Sequence, residues 1–149
     1  MTNVKHHINN LVYLTIFVFL SINSITSAFA ETDHHKLVIQ VSSNDPVSQK
    51  IALNNAVNLQ KHYGMDNITI EVVAFGPGLG LLTTKSKQAD RVKSLAMQDI
   101  KFSACGNTMK KMAKKTGKKP VLIEGVGVVP AGAARIIELQ EQKYSYIKS

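Results

Sequence analysis

IKFSACGNTMKKMAKKTG, residues 100–117, changes its hydrophobic period at one residue, and that change decides the fold class. Ile100 to Ala104 reads as a strand running straight into Cys105, the only cysteine in the chain. Gly106, Asn107 and Thr108 are helix-cap types, and after them Met109, Met112 and Ala113 fall on one face of a helix that Gly117 ends. Lysines 110, 111, 114 and 115 fall on the opposite face.

The same alternation continues in both directions. Lys36 to Ser42 (KLVIQVS) has the apolar, β-branched character of a strand buried on both faces. Asp45-Pro46 then gives an N-cap and a first-turn proline, and Gly64 a C-terminal stop. Between them Ala52, Ala56, Leu59 and Tyr63, widened by Leu53 and Val57, form a helical stripe broad enough to cover a sheet. Ile68 to Phe75 (ITIEVVAF) is a second strand, ended by GPGLG, residues 76–80, and followed by a polar loop and a short helix over roughly Ala89 to Met97. A fourth strand is expected over Val126 to Val129. The last helix runs from about Ala131 to Gln142, with Ile136, Ile137 and Leu139 facing inward, and Tyr144 to Lys148 closes the sequence as a strand. Strand and helix alternating about five times imply parallel strands with right-handed crossovers, a three-layer α/β/α sandwich on a mostly parallel five-stranded sheet. Ligands in such folds bind beyond the carboxyl ends of the strands, where both GPGLG and Cys-Gly-Asn fall.

The first thirty residues read as an export leader: a weakly basic start at Lys5, His6 and His7, an apolar run from Leu11 to Leu20, and a small-x-small site at Ala28-Phe29-Ala30. Cleavage near Ala30 is expected, leaving Glu31 to Ser149 as one domain in the periplasm or outside the cell. The apolar run is short of the roughly 20 residues of a spanning helix, and no later segment competes. One cysteine excludes an intramolecular disulfide framework.

The formal charge is +8, and six lysines crowd into residues 110–119. No aromatic interleaving or nucleic-acid motif accompanies them, so small anions, acidic partners or lipid headgroups are favoured over nucleic acid. His34-His35 and His6-His7 lack the neighbours of a metal site, and no metal is expected. GPGLG lacks the lysine and hydroxyl of a P-loop and the spacing of a dinucleotide fingerprint, so no cofactor is expected. Its glycines, Gly76, Gly78 and Gly80, allow close backbone approach and together with Gly106, Asn107 and Thr108 form the candidate anion-binding pocket. Cys105, between a strand end and a helix start, is the candidate catalytic residue, because unpaired amides and the helix dipole favour its thiolate. The alternative is an inert buried thiol filling a small gap.

VVAFGPGLGLL, FSACGNTM and VVPAGAARIIELQEQKYSYIK, in this order and spacing, resemble the DsrE/DsrF-like family in its small exported branch. The resemblance implies an α/β sandwich, assembly as trimers or hexamers, and sulfur relay in which a cysteine at a strand end carries sulfane sulfur as a persulfide. Cys105 alone could inherit that role, with Gly76 to Gly80 in the same pocket and a sulfur donor or acceptor protein as partner. Two positions depart from the family's pattern: Ala131 stands where serine is common, and Lys143 where glycine is usual. Two functions follow: a sulfur carrier at Cys105, or a non-catalytic module for small-anion binding or assembly in which Cys105 is lining.

Overall fold

The computed structural model describes residues 34–149. The leader, its cleavage site at Ala30 and His6-His7 lie outside the described residues. Five strands form one sheet: β1 (His35–Val41), β2 (Ile68–Ala74), β3 (Ile100–Cys105), β4 (Val126–Val129) and β5 (Ser145–Lys148), in the order β4-β3-β2-β1-β5. Every pairing is parallel. The helices are α1 (Pro46–Tyr63), α2 (Ala89–Ala96), α3 (Gly106–Thr116) and α4 (Gly132–Glu141).

Strand order and handedness distribute the layers unequally. The first three crossovers step in one direction across the sheet, and right-handed connections therefore put α1, α2 and α3 on one face. The return from β4 to β5 runs the other way and puts α4 alone on the opposite face. The larger core fills the three-helix side, with Leu53, Ile70, Phe102 and Leu82 fully enclosed. Each such side chain contributes about 1.5–3 kcal/mol by leaving water. The smaller core joins Val38 and Val73 to Ile136 and Leu139 of α4.

Local sequence explains the ends. Asp45 caps α1, its carboxylate accepting the Ser48 amide at 2.7 Å. Gly117 ends α3 in the left-handed region at φ 75°. GPGLG, read as the end of β2, does more than stop the strand. Residues Gly76–Leu82 form a 3₁₀ helix whose Leu79, Leu81 and Leu82 are fully buried, because successive leucines let a short helix dip into the core. Ile137, expected inward, is 58 % exposed, since α4 buries only the stripe through Gly132, Ile136 and Leu139. Asn54 accepts a hydrogen bond from Arg91 Nη2 at 2.8 Å and so ties α1 to α2. Among the described residues no helix is long and apolar enough to cross a membrane.

The smaller core also holds a charge. Glu71, in the middle of β2, is 1 % exposed. Its carboxylate accepts from Arg135 Nε at 2.9 Å, Arg135 Nη2 at 2.8 Å and Ser103 Oγ at 2.6 Å, with Lys101 Nζ 3.4 Å away. Burial pushes the carboxyl upward, and the bonds from Arg135 and Ser103 with the charges of Lys101 and Arg135 outweigh it, holding it below its ordinary 4.5. A depressed carboxylate contributes stability that is complete above 4.5 and is lost as pH falls through the folded value. Denaturant titrations should therefore show stability falling below pH 4.5 in the native chain, with a smaller slope in Glu71→Gln.

The two departures from the family pattern frame α4. Ala131 is its N-cap, with extended backbone and no side-chain bond to the helix amides. Lys143 follows the helix at φ 70°, a conformation that favours glycine. Ala131→Ser should raise stability by about 1 kcal/mol through a cap bond, and Lys143→Gly should gain up to about 1 kcal/mol by relieving backbone strain. Paired denaturation curves check both.

Candidate functional site

Two neighbouring strands send their chains to opposite faces at the carboxyl rim. β3 leads into α3 on the three-helix side, whereas β4 leads into α4 on the other, so the crevice of this topology opens between them. Cys105 pairs in register with Val129 at that point. Asn107 N–H donates to Pro130 O at 3.1 Å and holds the two turns together. Gly106 permits the approach, since a Cβ there would lie 3.2 Å from Val129 O.

Cys105 is both the last residue of β3 and the N-cap of α3. It makes no side-chain cap bond of the kind Asp45 makes; the groups that favour its thiolate are Thr108, through hydroxyl and amide, and the amides of Gly132 and Asn107, the last engaged with Pro130 O. Two helix amino termini thus meet at Cys105: α3, which it caps, and α4, whose Gly132 packs so closely that a Cβ there would lie 3.3 Å from Cys105 Cβ. Gly76 extends the array: its amide donates to Thr108 Oγ1 at 3.0 Å, which leaves the Thr108 proton free to point at Sγ. Burial disfavours the thiolate and is the largest single influence, but the donors together outweigh it and hold the thiol below its ordinary 9.0.

The structure gathers Cys105, Gly106, Asn107, Thr108 and Gly76 at this crevice. Gly78 lies elsewhere, packed so closely that a Cβ would collide with Val41 O, and Gly80 lines a separate cleft of about 240 Å³ with Asn44, Pro46 and Lys87. The sulfur is also less open than a strand end suggests, with Cys105 only 5 % exposed. The lysines of α3 point into solvent and supply none of the bonds at the sulfur. His62 is exposed at the far end of α1.

Sequence reading missed Gly132 and Phe75. A Cβ on Gly132 would lie 3.0 Å from Phe75 Cδ1 and 3.3 Å from Cys105 Cβ, so this helix begins with glycine because the thiol and the ring occupy the space. The available signal was a glycine inside PAGAAR, at a helix start where a better helix former costs less.

Comparison with known proteins agrees with the fold. Residues 35–149 match the DsrE/DsrF-like family. The chain belongs to that family. It is similar to the solved structure of MTH1491, a protein of unknown function from Methanobacterium thermoautotrophicum, at 28 % identity and TM-score 0.70, covering 77 % of this chain and 99 % of that one. The ychN protein from E. coli shares the fold at 17 % identity and TM-score 0.56, covering 76 % and 96 % of the two chains. No functionally curated protein matches.

Gly132→Ala tests the close packing. Alanine is intrinsically better than glycine in a helix by about 0.5–1 kcal/mol, but forcing a methyl against Phe75 costs about 1–3 kcal/mol. A net loss of stability is expected in denaturant melts, accompanied by a higher titration midpoint for the thiol.

Proposed function

We propose that this protein is an exported sulfur carrier in which Cys105 accepts sulfane sulfur as a persulfide and passes it on. The observation that carries the reading is the convergence of amide and hydroxyl donors on a single thiol at the β3–β4 crevice. Family membership supports it, as does the leader-like sequence, which favours the periplasm or the exterior. A trimer or hexamer, and a donor or acceptor protein, belong to the same proposal.

The chemistry needs no external oxidant. The Cys105 thiolate attacks the outer sulfur of a donor R–S–SH; the new S–S bond forms as the donor's S–S bond breaks, and the donor leaves as R–S⁻ while Cys105 becomes Cys–S–SH. The reverse step on an acceptor thiolate returns the Cys105 thiolate. The cradle assists both directions, because donors that stabilise the thiolate also make Cys105 a better leaving group. With one cysteine in the chain, no internal disulfide competes.

The 5 % exposure of Cys105 favours a second reading, an anion-binding or assembly module with the thiol as lining. Thiol chemistry separates them. For a carrier, iodoacetamide labels the folded protein with a midpoint below pH 9.0, and polysulfide adds one sulfur atom by intact mass, lost in Cys105→Ser. A thiol that labels and loads only on unfolding supports the module instead.

A further inference from the structure

The buried Glu71 is tied to the half-buried Arg135 across the space between β2 and α4. Arg135 lies in the first turn of α4, three residues after Gly132, and grips Glu71 with two nitrogens, at 2.9 and 2.8 Å. A fork of this kind fixes orientation as well as distance, which a single-point contact cannot do. Ser103 holds the carboxylate from below at 2.6 Å and lies two residues before Cys105 on β3. Glu138 Oε2 accepts from Arg135 Nη1 at 3.3 Å and steadies the guanidinium from the next turn. At the other end of the same helical turn, Gly132 is wedged against Phe75 and Cys105.

We propose that the Glu71–Arg135 fork is the positioning device of the thiol site: it locks the first turn of α4 in the rotation and height that set the amino-terminal Gly132 against Cys105. Neither side chain is a catalytic residue, since neither is among the hydrogen-bond partners of the sulfur. The proposal rests on the reading of Cys105 as the working group and adds how its surroundings are held. The charged groups on elements packed around the crevice are Glu71 on β2, Lys101 on β3, Lys110, Lys111, Lys114 and Lys115 on α3, and Arg135, Glu138 and Glu141 on α4. None of them acts on the thiol by direct charge; burial raises its pKa and hydrogen-bond donors together lower it further than burial raises it.

The sign of two substitutions separates positioning from a through-space field. If charge alone mattered, Glu71→Gln would remove a negative group and lower the thiol midpoint, while Arg135→Gln would raise it. Positioning makes both raise it, because both release α4. The single cysteine gives a clean readout in the full-length chain by thiolate ultraviolet absorbance. Each variant should move the midpoint up by roughly one pH unit, the worth of one hydrogen bond to a charged group. Arg135→Lys keeps the charge without the fork, is the milder substitution should the others fold poorly, and should fall between.

Leu53→Ala, in the core on the other face, is the control for mere loosening: it should lower the melting temperature and leave the midpoint in place. A parallel NMR titration should show the Gly132 amide proton following thiol ionisation in the parent and ceasing to follow it in Glu71→Gln. Opposite shifts in Glu71→Gln and Arg135→Gln, no shift in any fork variant, or an equal shift in Leu53→Ala would each overturn the proposal. A parent protein that fails to load sulfur would instead overturn the carrier reading while leaving this comparison intact.

Discussion

Parallel pairing throughout a five-stranded sheet brings the carboxyl end of every strand to one rim, and with it the amino terminus of each helix that follows. Amide hydrogens without intrahelical partners therefore accumulate there as a consequence of topology. The single reversal of direction after β4 makes two of those termini face each other across one crevice, and the thiol stands between them. The chemistry of Cys105 thus follows from strand order before any side chain around it is chosen.

Two polar groups are enclosed, Glu71 at mid-sheet and Cys105 at the rim, and each is balanced differently. Glu71 is charged in an apolar layer and survives there because three donors and two cations repay its lost hydration. An unpaired charge at that depth would cost about 3–5 kcal/mol, which is why Arg135 spans from helix to strand despite its flexible stem. Cys105 faces a milder version of the same competition, with burial opposing ionisation and soft contacts favouring it. The donors prevail through number, not through any one short bond.

Much of this architecture was legible in the residues. The change of period at Cys105, the Asp45-Pro46 start and the stops at Gly64 and Gly117 each encode a local backbone requirement, and all appear as read. What escaped depended on contacts distant in sequence. A glycine-rich run gives no sign of whether it turns in solvent or coils into a core, and the three buried leucines of the 3₁₀ helix are settled only by the space that β2, β3, α2 and α3 leave for them. Glu71 carries no local signal of its pairing, since its partner is 64 positions away. Gly132 and Phe75 enter the thiol site for the same reason: the crevice is assembled from the ends of β2, β3 and β4, and one-dimensional spacing cannot bring three ends together.

The cradle's donors come from both outer layers, α3 on the crowded side of the sheet and α4 on the sparse one. Ionisation of the sulfur accordingly registers any slippage of one layer past the other, in the way a strain gauge bonded across a joint registers its play. Warming, compression or contact with another molecule on either helix would reach the same atom. In this arrangement a change of acidity is the local signature of a movement shared by the whole sandwich.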